Sequence, residues 1–395
     1  MTTITFDEVT KHPGSSGHGA VLFMYKGRLF RAPHGYLLGR CEELIDAPVP
    51  IQKLIPTEYI LKHPRHGNLK VFEHKIYDHL VRINESIPYR AIEYVKTACL
   101  INKYLLSRGY VLSDVHEGNV YDTIDGIVWT DWGSIFSLNK KEGRTRPAAT
   151  GLAMTLYLAN KYIYGLINCQ HTDYSLSKAK KTSGPLQEIA YKSASSVSTW
   201  QQIIDIVDEA KIPPMPKSHW ADDYAAGVSP ENIIKTSRKG EPVASLLDSI
   251  TYDTLTDVAC NKGYFTLYAA RHCRSAVGLD IDGKCIHTAI KNKPPNIPVI
   301  FSKKDIKTII KNSKLEKIRY SSELVLALAI VHHVKKIMPH ANFANCLADL
   351  SKKHIIIEDV DSAPVYEKIF LKRGFKLINR LTSYPKSRTI SLYSK

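Results

Sequence analysis

Apolar positions along this chain keep two different rhythms. In the last third they come as short strand-like runs at Thr254–Ala259, Ala276–Asp280, Val299–Phe301, Leu324–Ala329 and His354–Glu358, with helix-spaced stretches between several of them. Short buried runs alternating with helical pattern predict an α/β unit: a parallel sheet with helices on both faces. The first half reads differently. Ala20–Met24 and Arg28–Arg31 predict a hairpin turned at Lys26-Gly27. Pro88–Arg108 predicts a helix, because Ile92, Val95, Cys99 and Leu100 share a face and Gly109 follows as a stop. Between the two rhythms, from His171 to Ser218, the chain turns polar, then closes on Pro213-Pro214-Met215-Pro216. Such composition predicts a linker. One helix is expected inside it, Ser198–Ala210, with Trp200, Ile203, Ile204 and Val207 on one face. The expected organisation is therefore 1–170, a linker over 171–218, and 219–395.

Composition narrows the class. The chain has 395 residues, 44% apolar and 23% charged, which is the make-up of an ordinary globular protein of two or three domains. Its longest apolar runs, such as Leu324–Val331, are too short to span a bilayer. Met1–Thr5 carries no basic segment followed by an apolar one, so no secretory leader is expected. Seven cysteines, irregularly spaced and without a C-x-x-C pair, indicate neither a disulfide framework nor a zinc site, and a cytoplasmic location is expected. The formal charge of +16 favours an anionic partner: nucleic acid, a phosphorylated glycan or an acidic membrane surface. A basic surface without a specific partner fits the charge equally. The lysines are scattered and not interleaved with aromatics, so no base-stacking surface is marked.

The chemistry concentrates in four segments of the C-terminal part. Thr256-Asp257-Val258-Ala259-Cys260-Asn261-Lys262-Gly263-Tyr264-Phe265 is a strand, a tight turn and the start of a helix. Ligands of open α/β sheets sit above such a turn, at the carboxyl ends of the strands. Ala259 and Asn261 stand where glycines are usual, and Gly263 remains. The next strand ends in Gly278-Leu279-Asp280-Ile281-Asp282, placing a carboxylate about 20 residues past the turn, where it can accept hydrogen bonds from ribose hydroxyls. Asp305 follows the third strand. In the fourth segment, Glu323–His333, a buried strand ends at the same edge, with His332 and His333 just beyond it.

In this order, D-x-x-C-N-x-G-Y-F, G-L-D-I-D and L-A-L-A-x-x-H-H, the segment from about Trp220 to Lys395 resembles the class I S-adenosylmethionine-dependent methyltransferases. The resemblance implies a Rossmann-like seven-stranded sheet, with Phe375–Leu381 and Thr389–Tyr393 as its antiparallel closing strands. It implies S-adenosylmethionine as cofactor, surrounded by Asp257, Ala259, Cys260, Asn261, Gly263, Tyr264, Phe265, Asp280, Ile281, Asp305, Ala327, Leu328 and Ala329. The turn lacks the G-x-G-x-x-G fingerprint of dinucleotide enzymes. His332 and His333 are the candidates for chemistry. A histidine near its ordinary pKa can take a proton from a hydroxyl nucleophile, whereas a phosphate acceptor needs only orientation.

The N-terminal part has its own pattern. Leu112-Ser113-Asp114-Val115-His116-Glu117-Gly118-Asn119, then Ile127-Val128-Trp129-Thr130-Asp131-Trp132-Gly133, resembles the catalytic loop and D-F-G segment of kinase-like phosphotransferases. The resemblance implies Asp114 as the residue positioning a substrate hydroxyl, Asn119 and Asp131 as ligands of Mg²⁺, and ATP as the nucleotide. The departures are plain. Ser113 stands where arginine is usual, the segment Gly14–Val21 is a loose match to a phosphate-covering loop, and no A-P-E follows Asp131. For the phosphate lysine the candidates are Arg31 and Lys62, with Glu73 as a partner for Lys62.

Taken together, the chain resembles bacterial and phage-type proteins in which a kinase-like α+β domain precedes a methyltransferase. The expected function is methyl transfer to a hydroxyl or phosphate of an anionic acceptor, a phosphorylated glycan or metabolite, coupled to a kinase-like domain that phosphorylates or positions it. Two alternatives stand beside it: an RNA methyltransferase of viral or mobile-element origin, and a non-catalytic scaffold built from two degenerate folds.

Overall fold

The computed structural model describes residues 2–11, 20–26, 28–34, 36–75, 77, 79, 81–82, 90–113, 115, 119–132, 135–138, 147–163, 194–210, 234–235, 239–311, 317, 319–328, 330–334, 336, 338–359, 363–383 and 388–395. They fall into two compact units. The first comprises Met1–Tyr77, Arg82–Tyr121 and Asp125–Pro213; the second comprises Asp78–Val81, Asp122–Ile124 and Pro214–Lys395.

The first unit opens with a six-stranded sheet in the order β1-β5-β6-β4-β3-β2. Its strands are β1 (Thr2–Thr5), β2 (Thr10–Lys11), β3 (Ala20–Tyr25), β4 (Arg28–Pro33), β5 (Leu54–His63) and β6 (Gly67–His74), with α1 (Tyr36–Leu44) between β4 and β5. The hairpin expected at Lys26 is present, and Lys26 takes the left-handed backbone of its turn, with φ 49°. Ile4, Phe23, Phe30, Leu61 and Val71 form the buried face of this sheet. The long helix expected over 88–108 runs over Ala91–Ser107 (α2). It packs with α3 (Pro147–Tyr162) and with α4 (Val197–Asp208), the helix expected inside the linker. Their shared core holds Val95, Cys99, Leu152, Leu156, Trp200 and Ile203. Asn102, fully buried on α2, donates to the carbonyl of Ala98 and accepts from the amide of Leu112 at 2.8 Å, which ties α2 to Leu112.

Three more short strands follow α2: β8 (Tyr110–Leu112), β9 (Val120–Thr123) and β10 (Gly126–Trp129). β8 pairs with β11 (Ile135–Ser137), while β7 (Val81–Arg82), β9 and β10 make a small sheet in the order β10-β9-β7.

The second unit is built on a seven-stranded sheet in the order β14-β13-β12-β15-β16-β18-β17. Its strands are β12 (Thr254–Val258), β13 (Ser275–Asp280), β14 (Val299–Lys303), β15 (Ser322–Ala327), β16 (Ser351–Asp359), β17 (Lys376–Ser383) and β18 (Arg388–Ser394). The first five run parallel, and β18 inserts antiparallel between β16 and β17. All five positions of the central β12 are buried, as expected of a strand covered on both faces. The helices are α5 (Gly240–Asp248), α6 (Tyr264–Ala269), α7 (Gly283–Asn292), α8 (Ile306–Lys311), α9 (Val331–Val334), α10 (His340–Leu350) and α11 (Ala363–Lys372). Capping explains one boundary directly: Asp282 accepts from the amide of Lys284 at 2.8 Å and starts α7.

Val81 joins the large core beneath β12, β13 and β15, and Ile124 packs against it, so residues from the first half of the sequence complete this unit. Among the described residues no helix is long and apolar enough to cross a membrane.

Candidate functional site

The bend after β12 is where the backbone leaves ordinary geometry. Ala259 (φ 61°), Asn261 (φ 52°) and Gly263 (φ 77°) all take the left-handed conformation. Glycine adopts it freely; each of the other two costs about 1–3 kcal/mol, a cost met only where surrounding structure over-determines the turn. The over-determination is visible. The Cys260 amide donates to the carbonyl of Leu279 and the Gly263 amide to that of Cys260, both at 2.9 Å. The Asn261 amide donates to Oδ2 of Asp280 at 2.8 Å. Gly263 itself has no room for a side chain, since a Cβ there would lie 2.6 Å from the ring of Phe301.

Asp280 ends β13 beside this bend. Its Oδ1 accepts from the amide of Asp282 at 2.8 Å, so both oxygens are anchored by backbone N–H groups. The Ile281 amide bonds to it as well, so of a carboxylate's about four acceptor positions one is left for a further donor. Burial raises its pKa, opposed by those same amides. Ile281 follows, 63% exposed, an apolar side chain beside an anchored carboxylate.

Asp257, on β12, is wholly buried and accepts from the Thr266 hydroxyl at 2.5 Å. Burial pushes its pKa up to about 7, with the Thr266 hydrogen bond and Lys239 pulling down and Asp280 pushing up. Cys260 is buried, and burial holds its thiol well above the ordinary value, which makes it an unreactive packing group. Tyr264 is also buried; its hydroxyl accepts from Asn292 at 3.3 Å and ties α6 to α7. Phe265 is half-buried, with the Lys239 ammonium 5.8 Å from its ring. Asp305 caps α8 by accepting from the Lys307 amide at 2.9 Å, which engages one of its oxygens. Ala327 and Leu328 are buried at the end of β15, and Ala329 lies outside the described residues.

The strand expected over Leu324–Ala329 ends at Ala327, and His332 and His333 follow it on the helical turn α9, with ring centroids 3.9 Å apart. The His333 amide donates to Ile330, closing that turn. His332 is exposed, and its pKa is lowered by burial of part of the ring, by His333 and by Arg388. A neutral imidazole with a depressed pKa accepts protons rather than donating them.

Three residues that carried no motif signal stand next to these. Glu358, at the end of β16 and 3% exposed, receives Lys239 on Oε2 at 2.9 Å and Arg388 on Oε1 at 3.4 Å. An acid closing the run His354–Glu358 was the one available hint. Gly278, quoted in the G-L-D-I-D run but not assigned to the site, has no room for a side chain: a Cβ there would meet Phe301 at 2.6 Å and the Cys260 sulfur at 3.0 Å.

In the first unit, Asp114 and the segment 12–19 lie outside the described residues. Asn119 and Asp131 come from adjacent chain segments, joined where the Thr130 amide donates to the Asn119 carbonyl at 3.0 Å. Arg31 on β4 is 5% exposed and donates to Nε2 of His74 at 3.2 Å. Burial lowers its pKa, and the nearby Cys41 and Asp131 act against that. The expected pairing of Lys62 with Glu73 is not formed. Glu73 is held by Arg28 through both Nε and Nη2, and Lys62 is exposed. Register is the reason: β4 and β6 are neighbours with Phe30 opposite Glu73, whereas Lys62 lies opposite Asn68. Among the described residues no group of three or more His, Cys, Asp or Glu side chains could hold a metal ion.

No family model and no curated protein sequence matches the chain. Solved structures do. The magnesium protoporphyrin IX methyltransferase of Synechocystis PCC 6803, with bound SAM, is similar over 45% of this chain and 89% of its own, at 15% identity and a TM-score of 0.35. The N-methyltransferase NodS of Bradyrhizobium japonicum WM9 covers 40% of this chain and 97% of its own, at 13% identity and a TM-score of 0.33. A putative S-adenosylmethionine-dependent methyltransferase of Listeria monocytogenes covers 41% and 98%, at 14% identity and a TM-score of 0.33. Likenesses this distant carry no weight alone. The mixed α/β architecture rests on the observed strand order, five parallel strands closed by an antiparallel pair.

Proposed function

We propose that the second unit is an S-adenosylmethionine-dependent methyltransferase acting on a hydroxyl or phosphate of an anionic acceptor. One observation carries the reading: a bend with three left-handed residues is fastened through the Asn261 amide to the carboxylate that ends the neighbouring strand. Strain of this kind is kept where backbone must approach a ligand closely. The residues present fit the cofactor. Asp280 keeps an acceptor position for a ribose hydroxyl, and Ile281 offers an apolar side chain next to it. Bound there, the cofactor would supply a sulfonium methyl group for in-line displacement. The chain's own part is positioning. The bend and Asp280 hold the donor, and His332, neutral and exposed on α9, takes the proton when the acceptor is a hydroxyl. The +16 charge favours an anionic acceptor by steering.

Calorimetric titration of the full chain with S-adenosylhomocysteine tests the donor site. Binding lost in Asp280→Ala supports it, and no heat with the unmutated protein would count for a scaffold instead. Label transfer from methyl-labelled S-adenosylmethionine to phosphorylated glycans, small phosphate esters or RNA then sorts acceptors. Transfer to RNA, with affinity falling steeply in salt, would favour the RNA reading.

A second reading concerns the first unit, and Arg31 favours it. A buried guanidinium in the field of Asp131, with Asn119 on the adjacent segment, supports a kinase-like phosphate site. There Arg31 would hold nucleotide phosphates and the two oxygen-bearing side chains would hold Mg²⁺. Binding of Mg·ATP that disappears in Asp131→Asn supports this; equal binding in parent and variant removes it.

A further inference from the structure

Five segments of the second unit meet at the carboxyl edge of its sheet, and three of them bring charged groups there. Lys239 precedes α5, Phe265 lies on α6, His332 on α9, Glu358 is the next-to-last residue of β16 and Arg388 starts β18. The register of β16 with β18, Glu358 opposite Ile390 and Asp359 opposite Thr389, is what carries Arg388 to this edge. Glu358 is 3% exposed and each of its oxygens takes a different cation, Lys239 at 2.9 Å and Arg388 at 3.4 Å. One carboxylate balances one cation. Among the described residues both cations have this one carboxylate as their ion-pair partner, on side chains that are 17% (Lys239) and 31% (Arg388) exposed.

An ammonium has three donors and a guanidinium five, and the bonds to Glu358 use only part of them. Asp257 lies within the field of Lys239, but it is fully buried and its raised pKa leaves it partly protonated at neutral pH. Partly buried excess charge is costly unless a counter-charge arrives. The place where it would arrive is set by Phe265, over whose ring Lys239 sits, and which follows the bend at Gly263 closely. Lys239 is thus next to the bend through Phe265, and both cations act on His332.

We infer that Lys239 and Arg388, held together by Glu358, form an oxyanion seat that grips a phosphoryl or carboxylate group on the methyl acceptor. Glu358 is the positioning residue: it sets the spacing of the two cations. The seat rests on the donor reading for its role in catalysis, while its anion affinity is measurable without it. An arginine opposite a lysine suits such a group, because the guanidinium can offer two parallel N–H bonds and the ammonium a point charge.

The test uses the full chain at fixed ionic strength, with inorganic phosphate and acetate as separate probes, followed by NMR of the probe and of the His332 ring. Phosphate or acetate binding that weakens about tenfold in Arg388→Gln, returns in part in Arg388→Lys, and tightens in Glu358→Gln supports the seat; which probe responds tells phosphoryl from carboxylate. The opposite signs of the two charge changes separate this from a merely structural ion pair, which both variants would only weaken. Circular dichroism of each variant secures the fold, and Arg388, being partly exposed, is the variant expected to keep it. Probe binding that is the same in the parent and Arg388→Gln, or absent in the parent, overturns the seat. S-adenosylhomocysteine titrated in parallel reads the donor site on its own, so a failure there sinks the donor reading and leaves the anion result standing or falling separately.

Discussion

The sheet of the second unit carries a polar cluster at each edge, and the two are built to opposite ends. At the amino edge, His79 is buried at 1% exposure; its Nδ1 meets the Ser275 hydroxyl at 2.7 Å and its Nε2 the Ser322 hydroxyl at 3.3 Å. Ser322 in turn bonds to Thr256, whose hydroxyl donates to the Tyr320 carbonyl. Ser275, Ser322 and Thr256 are themselves completely buried. At the carboxyl edge, Asp280 is anchored but half-open, Ile281 and His332 are exposed, and Glu358 is shared by two cations. Burial with complete partnering makes a polar cluster a structural clasp; anchoring with acceptor or donor capacity to spare makes it a binding surface. The electrostatics follow. Burial drives His79 down to about 3, so it is neutral, while burial drives Asp257 at the other edge up to about 7.

The largest expected effect falls at the open edge. Asp280→Ala should weaken S-adenosylhomocysteine about a hundredfold by calorimetry, equivalent to about 3 kcal/mol of charge-assisted hydrogen bonding. The melting temperature should fall as well, because the Asn261 and Asp282 amides lose their acceptor, so affinity is compared below the variant's transition. A comparable affinity in the variant would break the contrast, because the open edge would then be structural too.

At the sealed edge the effect should be on stability instead. His79→Gln should cost about 1–3 kcal/mol in denaturant unfolding, through lost buried hydrogen bonds, and leave ligand affinity intact. It should also change the acid side of the stability profile. His79 is neutral in the fold and protonates in the unfolded chain near its ordinary 6.5. Its contribution is therefore full above pH 6.5 and lost as pH falls toward 3, by up to about 1.4 kcal/mol per pH unit. The Gln variant should lack that slope.

Asp257 gives the opposite sign. Its folded pKa is raised, so its contribution is present below the ordinary 3.8 and lost as pH rises through 7. Asp257→Asn should make the ligand-free protein more stable than the parent at pH 8, by about 1 kcal/mol or more in chemical unfolding. Equal stabilities would show that Lys239 already neutralises it.

The smallest effect belongs to an exposed pair at the sealed edge. Lys353 and Glu323 are 2.9 Å apart with side chains 54% and 21% exposed, and Lys353→Ala should change stability by less than about 0.5 kcal/mol. A larger loss would mean the clasp extends to the surface.

Much of the parallel sheet could be read from the chain because its strands are buried on both faces and appear as short apolar runs; β12, β13 and β16 lie close to where those runs stood. The bend was legible too, since a strand, a turn with Gly263 and an acid at the next strand end are local in sequence. That the two histidines follow the fourth strand was legible as well; that they sit on a helical turn was not, because Leu328, Ile330 and Val331 continue an apolar run that periodicity cannot split. Ala259 and Asn261 looked like departures from a glycine pattern, yet they adopt the left-handed backbone that glycine would have supplied. In the first unit, Lys62 and Glu73 looked like partners until strand register gave Glu73 to Arg28.

Local order of residues thus determined the strands, the bend and the acid beside it, because each depends on neighbours within one strand–turn–helix unit. Only the tertiary structure could choose His79, Glu358, Lys239 and Arg388. Their partners are far away along the chain, and no periodicity marks a side chain whose role depends on which distant strand ends beside it.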